Sequence, residues 1–161
     1  MLPNDAYLET CAAVGAGFFH HRMNLLFGEA RFADELERVL FNGALAGTSL
    51  SGDRYFYENP LVCGTERERW AWHGCPCCPP MFAKMYGALP AYLYATDETG
   101  LYVSQYASST VEAELGGQTV TLAQETRYPW DGRVTLTVLS DGPAPYDLFL
   151  RIPGWCEGAT M

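Results

Sequence analysis

Four side chains in this sequence could together hold one metal ion. Glu9 and Cys11 supply a carboxylate and a thiol near the N-terminus, and the adjacent Cys77 and Cys78 supply two more thiols. Zinc takes four nitrogen, sulfur or oxygen ligands in a tetrahedron, and thiolates favour zinc over magnesium or calcium. The number and chemistry of these donors therefore fit a zinc site.

The spacing of the four donors leaves a second interpretation open. Glu9 and Cys11 would lie about 200° apart on a regular helix, so both reach one ion only where the backbone is irregular. Cys77 and Cys78 would point to opposite faces of a strand, although a turn between the flanking prolines could direct both inward. In the alternative, Cys11 is a buried core residue and Glu9 is an acid favoured by the helix dipole in a first turn.

Composition restricts the class of protein and its partners. The chain has 161 residues, of which 48% are hydrophobic and 18% charged, which suits one ordinary folded domain. Nineteen acidic and ten basic residues give a net charge of −9, which argues against nucleic acid and anionic membranes as partners. A neutral carbohydrate is compatible with this charge, and the sequence predicts no oligomeric state.

The cysteines and the absence of targeting signals indicate a cytoplasmic location. No apolar run approaches the roughly 20 residues of a membrane-spanning helix, and no signal peptide is recognisable. Reduced thiols that serve a metal or catalysis are the preferred interpretation of six cysteines in such a chain. Outside the four donors, we interpret the remaining cysteines as one spare thiol beside the site, Cys75, and two structural residues, Cys63 and Cys156.

Helical periodicity predicts the elements that position these residues as far as about residue 95. A first helix capped by Asn4 or Asp5 would end at Gly28, and a second would cover residues 30–46. A hairpin at 49–57, a loop at 63–80, and a third helix from Pro80 that Pro90 bends or ends would follow. The predicted buried residues are Ala12, Phe19, Met23 and Leu26 on the first helix, and Phe32, Leu36, Leu40 and Leu45 on the second.

The hydrophobic period changes to two near Asp97. Strands are predicted near residues 101–106, 111–115, 119–123, 134–139 and 148–152, with turns at Gly116-Gly117, Asp131-Gly132 and Asp141-Gly142-Pro143. The sequence therefore predicts an α+β protein in which helices precede an antiparallel sheet. The strand half has no cluster of titratable groups, so its predicted role is structural.

Five ordered motifs resemble those of glycoside hydrolase family 127, which is typified by bacterial β-L-arabinofuranosidases. They are Leu2-Pro3-Asn4-Asp5 with Tyr7 and Glu9-Thr10-Cys11-Ala12, then LERVLFNG at 36–43, YFYENPL at 55–61, CCPP at 77–80 and LRIPGW at 150–155. They span the chain from end to end. The resemblance implies a partial (α/α)6 barrel over residues 1–95 and the start of a β-sandwich over residues 96–161.

The resemblance also assigns roles to the metal donors. It implies that zinc is held by Glu9, Cys11, Cys77 and Cys78, and that Cys77 is the nucleophile. The implied activity is that of a retaining glycosidase that releases terminal β-L-arabinofuranose or a similar sugar through a covalent intermediate.

Three further residues are candidates for substrate binding. Glu37 and Tyr57 match positions that line the family's sugar pocket. Alternatively, Glu37 is a solvated acid paired with an arginine, and Tyr57 is a packing residue. His73, four residues before Cys77, would contact the substrate or tune the cluster, or would only make hydrogen bonds within its loop.

Two departures from the family pattern affect the expected activity. The family's general acid is a glutamate shortly before the Leu-Pro-Asn-Asp motif, and Met81 stands where asparagine is expected after Cys-Cys-Pro-Pro. We therefore expect a piece of a longer enzyme, inactive alone because the general acid lies outside the chain. A zinc-stabilised structural or binding module without turnover is the alternative. A thiol redox protein is a third hypothesis, which we disfavour because we expect no Cys-x-x-Cys redox pair and interpret Cys75-Pro76-Cys77 as a Cys-x-Cys.

Overall fold

The helices precede the strands along the chain. The structure is a computed structural model that describes residues 3, 6–62, 64, 67–140 and 142–161. The chain divides into two units, Met1–Ala88 and Leu89–Met161. The described helices are α1 (Thr10–Phe27), α2 (Ala30–Arg38), α3 (Cys78–Gly87) and the short α4 (Pro90–Leu93). The first unit is therefore helical, and all the strands listed below belong to the second.

Helix α1 ends where the sequence predicts. Gly28 adopts a φ of 63°, a left-handed conformation that glycine tolerates, and its N–H donates to Asn24 O at 2.8 Å. The predicted cap at Asn4 or Asp5 lies outside the described residues. The prediction of the buried face was wrong for three residues that the structure exposes, which are Ala12, Phe19 and Leu26.

Close helix packing explains which face of α1 is buried instead. The buried residues are Thr10, Val14 and Gly17. A Cβ atom at Gly17 would lie 2.5 Å from Met85 Cε of α3 and 3.1 Å from Val39 Cγ1. The contact face therefore requires small side chains, and a pattern of large apolar residues does not reveal it.

The second helix covers the predicted range but is irregular in its second half. After α2 the chain continues as a π-helical segment, Val39–Ala44, and a 3-10 turn, Leu45–Gly47. Leu36 and Leu40 are buried as predicted, whereas Leu45 is 46% exposed. The prediction for Leu45 was wrong because Ala44, at the end of the π-helical segment, takes the buried position.

The connection between the second and third helices contains the predicted turn. Thr48 and Tyr55 form an antiparallel bridge, and Ser49 N–H donates to Arg54 O at 2.9 Å across it. Helix α3 begins at Cys78, two residues before the predicted start, and has prolines in its first turn, where the missing N–H costs no helical hydrogen bond. As expected, α3 ends before Pro90.

Six strands form two three-stranded sheets in the second unit. They are β1 (Tyr94–Thr96), β2 (Gly100–Val103), β3 (Ser109–Leu115), β4 (Gln118–Thr126), β5 (Val134–Ser140) and β6 (Asp147–Leu150). The sheet orders are β1-β2-β6 and β3-β4-β5. The α+β class is confirmed, and β1 begins slightly before the predicted change of period at Asp97.

One strand pair departs from the antiparallel prediction. The sheet β3-β4-β5 is antiparallel throughout, but β6 runs parallel to β2. The chain passes through the whole other sheet before it returns to β2, and a connection of that length permits parallel pairing. The Gly116-Gly117 turn is confirmed, with φ of 58° and 81°, as a two-residue hairpin turn requires.

The core of the second unit draws on both sheets. Its buried residues are Leu101, Val103, Leu115, Val120 and Leu122. Those on β2 and β4 alternate with residues that face away from the core, as strand geometry dictates. Among the described residues, no helix is long and apolar enough to cross a membrane.

Candidate metal centre

An extended segment precedes α1 and determines where Glu9 points. Glu9 has an extended conformation, with φ −88° and ψ 136°, and forms an antiparallel bridge with Glu58. Thr10 N–H donates to Tyr57 O at 2.9 Å. Glu9 therefore lies before the helix and Cys11 lies in its first turn. This is the backbone irregularity that two donors spaced two residues apart require.

The start of α1 is held in place by a buried threonine. Thr10 is 2% exposed; its Oγ1 donates to Phe56 O at 2.8 Å and accepts from Asn59 Nδ2 at 3.0 Å. A Cβ atom at Gly47 would lie 2.8 Å from Thr10 Oγ1, so the chain passes this hydroxyl at close range. These contacts position the residue directly before Cys11.

The other two thiols lie at the start of α3. Cys77 occupies the N-cap position in a helical conformation, and Cys78 is the first residue of the helix. Cys78 is 1% exposed, whereas Cys77 is half-buried. Helix N-termini carry partial positive charge, which favours thiolates. Cys11 in the first turn of α1 shares this environment.

The structure brings three of the four donors into one cluster. The Cys11 sulfur lies 3.2 Å from that of Cys77 and 3.6 Å from that of Cys78, and the sulfurs of Cys77 and Cys78 are 3.9 Å apart. A tetrahedral ion with bonds of about 2.3 Å separates its ligand atoms by roughly 3.8 Å, so these three thiols could hold a metal ion. Glu9 Oε1 lies 3.8 Å from Cys77 Sγ, outside the group of three thiols whose sulfurs are all within 4.8 Å of one another.

Burial opposes ionisation of two of the thiols when no metal is bound. Burial raises the pKa of the Cys11 thiol, and hydrogen bonding to the two neighbouring thiols raises it further. Burial also raises the pKa of Cys78, to about 11. Without a cation these two thiols stay protonated at neutral pH. A bound metal would displace the protons and stabilise the thiolates.

A stack of three rings borders the cysteines. The ring of His73 lies between that of Trp70, at 4.7 Å between centroids, and that of Tyr57, at 4.9 Å. His73 Nδ1 lies 3.1 Å from Cys75 N and 3.3 Å from Cys75 O, so the backbone of Cys75 contacts this ring nitrogen. Stacking and these contacts fix the orientation of the His73 ring.

Two tyrosines connect this stack to the metal donors. Tyr7 donates its hydroxyl to Glu9 Oε2 at 3.3 Å. A hydrogen bond with Tyr7 is the main cause that raises the pKa of the Tyr57 hydroxyl, and burial adds to it. Tyr57 therefore remains a neutral phenol beside the carboxylate of Glu9.

Glu37 lies on α2 and is only 5% exposed. The interpretation of Glu37 as a solvated acid was wrong, because the side chain is buried. The neighbouring Arg38 pairs with Glu35 at 2.7 Å. A buried carboxylate is costly unless it is hydrogen-bonded, so its position is specific. A role for Glu37 toward a sugar stays a prediction.

Two residues that position this region, Thr10 and Trp70, were not predicted, because they act through long-range contacts and have no local signal in the sequence. Cys75 was predicted as a spare thiol beside the site, and its sulfur lies 3.9 Å from that of Cys77. The expectation that the chain has no Cys-x-x-Cys pair was wrong, because Cys75 and Cys78 form one, a common spacing of zinc ligands.

Comparison with known families covers almost the whole chain. Residues 1–91 match the family model "Beta-L-arabinofuranosidase, GH127 catalytic domain", and residues 100–161 match that of the GH127 middle domain. The chain belongs to glycoside hydrolase family 127. A curated GH127-like relative, the non-reducing end β-L-arabinofuranosidase of Bifidobacterium longum subsp. longum, is 36% identical over 175 aligned positions, which cover 98% of this chain and 26% of the relative.

Solved structures of the family share this fold. A GH127 β-arabinofuranosidase is 42% identical with a TM-score of 0.90, over 96% of this chain and 24% of that protein. A GH127 β-L-arabinofuranosidase from Geobacillus stearothermophilus T6 is 40% identical with a TM-score of 0.88, over 98% of this chain and 27% of that protein. The chain thus spans about a quarter of the length of these relatives.

Proposed function

We propose that this chain carries the zinc site and the nucleophile of a retaining glycoside hydrolase that releases terminal β-L-arabinofuranose or a similar sugar. The observation that carries the proposal is the meeting of three thiols at the starts of two helices, although Cys11 and Cys77 are 66 residues apart in sequence. Similarity to GH127 β-L-arabinofuranosidases supports the substrate class.

Glu9, Cys11, Cys77 and Cys78 would hold the zinc ion. Three thiols and one carboxylate are donors that zinc accepts. The three sulfurs lie within 4.8 Å of one another, and Glu9 Oε1 lies 3.8 Å from the Cys77 sulfur. The ion would keep the thiols deprotonated near neutral pH. The ion would thus counteract burial, which raises the pKa of the Cys11 and Cys78 thiols.

Cys77 is the thiol best placed to act as nucleophile. It is half-buried, whereas Cys78 is 1% exposed and cannot be reached by a sugar. The Cys77 sulfur would form a bond to the anomeric carbon as the bond from that carbon to the leaving oxygen breaks. Water would then attack the anomeric carbon on the face opposite the sulfur, which the leaving oxygen has vacated, and the Cys77 thiolate would depart. The two inversions release the sugar with retained configuration.

The leaving oxygen needs a proton from a general acid. Family resemblance implies a glutamate before the Leu-Pro-Asn-Asp motif, outside these 161 residues. Glu9 faces Cys77 but would be committed to the metal. We therefore expect the chain to bind zinc and to cleave unactivated glycosides very slowly.

The aromatic stack beside the cysteines would bind the sugar. Sugar rings pack their C–H faces on aromatic rings. Tyr57, at the end of the stack, would present such a face, whereas both faces of the His73 ring are covered by Trp70 and Tyr57. His73 would therefore contact a sugar hydroxyl only through its ring edge, by a hydrogen bond at Nε2. Glu37 would accept a hydroxyl hydrogen bond.

We propose that residues 1–95 are part of the (α/α)6 barrel of a longer protein and that residues 96–161 begin its β-sandwich. Two observations support this division. The family models match residues 1–91 and 100–161, and the two sheets of the second unit share one core.

An activated substrate tests the nucleophile without the general acid. An aryl β-L-arabinofuranoside whose phenol needs no proton should transfer its sugar to the zinc-loaded chain. We expect mass spectrometry to find one anhydropentose on the peptide that contains Cys77, and none in Cys77→Ser. A sugar found on another residue, in this chain and in a longer version of the protein, would refute the role of Cys77.

The same experiment decides between the proposal and a zinc-stabilised module without turnover. The module interpretation rests on the group of three thiols alone, which can hold a metal without any substrate. It predicts that zinc binds and that no sugar is transferred, even in the longer version. A labelled Cys77 excludes it.

A further inference from the structure

A fourth thiol lies beside the proposed nucleophile. The Cys75 sulfur is 3.9 Å from that of Cys77, the same separation as between Cys77 and Cys78. Cys75 is exposed and lies outside the group of three thiols whose sulfurs are within 4.8 Å of one another. It therefore neighbours the position of one metal donor without being a donor itself.

The sequence around Cys75 is that of a ligand pair. Cys75 and Cys78 are separated by two residues, the spacing that many zinc sites use for two thiolates. The prolines at 76 and 79 restrict the backbone of this short segment. A metal held by Cys78 would thus lie within the usual reach of Cys75.

The backbone of Cys75 is anchored while its side chain is exposed. Cys75 N–H donates to His73 Nδ1 at 3.1 Å, and the His73 ring is stacked between Trp70 and Tyr57. Rotation between staggered rotamers moves a cysteine sulfur by about 3 Å. This is comparable with the distance to the position of the Cys77 sulfur.

We propose that Cys75 is a reserve metal ligand, which binds in the place of Cys77 whenever the Cys77 sulfur is withdrawn. The inference rests on the proposed function, in which the Cys77 thiolate uses its electron pair to bond to the anomeric carbon. As Cys75 binds, its thiol gives its proton to solvent water. The number of bound thiolates stays at three, and no oxidation or reduction takes place.

Cobalt(II) provides a test, because its thiolate charge-transfer absorption grows with the number of bound sulfurs. Cys77→Ala imitates withdrawal of the Cys77 sulfur. We expect this variant to keep the three-thiolate intensity of the unaltered chain. Cys75→Ala/Cys77→Ala should fall to about two-thirds of that intensity and bind cobalt at least about 10-fold more weakly.

A matched control removes a cysteine elsewhere. Cys156 is free and half-buried, so Cys156→Ala/Cys77→Ala should behave like Cys77→Ala alone. The inference is overturned if Cys77→Ala has already lost a third of the intensity and the removal of Cys75 changes nothing more. A chain that shows no thiolate absorption, or keeps it unchanged in Cys11→Ala, contradicts the proposed metal site as well.

Alkylation rates give a second readout that needs only one variant. In the unaltered chain, metal should leave the reaction of Cys75 with iodoacetamide almost unchanged. In Cys77→Ala, metal should slow this reaction at least about 10-fold, as expected for a bound sulfur. Equal rates with and without metal in Cys77→Ala overturn the inference.

Discussion

The helical unit and the strand unit hold their buried residues by different means. In the strand unit, Leu101 and Val103 of β2 and Val120 and Leu122 of β4 form a continuous apolar core, and a two-residue turn joins β3 to β4. In the helical unit, the metal centre depends on a few specific contacts between distant segments. The stability of the strand unit should therefore depend mainly on its buried apolar area. Metal binding in the helical unit should depend on the correct placement of single atoms.

The largest expected effect concerns chemistry in the helical unit. The zinc-loaded chain should hydrolyse an alkyl β-L-arabinofuranoside, whose leaving oxygen needs a proton, about 10²–10⁴-fold more slowly than a longer version that includes the upstream glutamate, since a positioned proton donor contributes that much to the rate. Steady-state kinetics of both proteins measure the difference. Cys77→Ala should abolish activity in the longer version.

Equal activity of the two proteins would contradict the assignment of the acid. Another group of the helical unit, such as His73 or Glu37, would then donate the proton. Substitution of each in the short chain, Glu37→Gln and His73→Asn, would identify which one does.

The same difference between the units explains what the sequence could predict. Strands β3 and β4 and the Gly116-Gly117 turn follow from a period of two and from glycine, because both signals are local. The parallel pairing of β6 with β2 does not, because register between distant strands has no local signal.

In the helical unit, the stop at Gly28 has a local signal, but the packing face of α1 has none. That face depends on how close Met85 comes to Gly17. Residue type and family resemblance predicted the candidate metal donors, and the structure brings three of them, Cys11, Cys77 and Cys78, together. Thr10 and Trp70 became visible only through their contacts. The irregular backbone between Glu9 and Cys11 arises from pairing with residues 57–59, which no window around residue 10 contains.

A core substitution in the strand unit should change stability without touching the metal. Leu122 is fully buried, so Leu122→Ala should lower the free energy of unfolding by about 2–5 kcal/mol. Urea denaturation measures this loss. The cobalt spectrum of the folded variant should equal that of the unaltered chain, and a weakened spectrum would contradict the separation of the two units' roles.

A single added methyl group should disturb the metal centre. At Gly47 a Cβ atom would lie 2.8 Å from Oγ1 and 2.9 Å from Cγ2 of Thr10. Gly47→Ala should therefore cost about 1–3 kcal/mol of stability and weaken metal binding, because it displaces the residue before Cys11. Chelator competition measures the metal affinity.

Gly15→Ala is the matched control for this substitution. Gly15 lies within α1, and a Cβ atom there meets no heavy atom within 4 Å. Alanine should stabilise the helix by up to about 1 kcal/mol and leave metal affinity unchanged. If both variants bind metal like the unaltered chain, the contact between Gly47 and Thr10 does not position Cys11.

The smallest expected effect is a pH dependence in the strand unit. The carboxylate of Asp97 accepts hydrogen bonds from the Tyr102 hydroxyl at 2.6 Å and from Thr99 N–H at 2.7 Å. They lower its pKa from 3.8 to about 2. Because the folded pKa is depressed, its contribution to stability is complete above about pH 4 and is lost as the pH falls toward 2.

An NMR titration of the Asp97 carboxyl carbon checks this value. The stability difference between the unaltered chain and Asp97→Asn should shrink as the pH falls from 4 to 2. A midpoint near the ordinary value of 3.8 would contradict the hydrogen bonding of this turn.

X-ray absorption at the zinc edge tests the metal centre most directly. The account predicts one zinc per chain under reducing conditions, with three sulfurs at about 2.3 Å and one oxygen at about 2.0–2.2 Å. Cys11→Ala should remove one sulfur from this shell. A chain that retains no zinc, or a shell made only of nitrogen and oxygen, would contradict the assignment of Glu9, Cys11, Cys77 and Cys78 as the ligands.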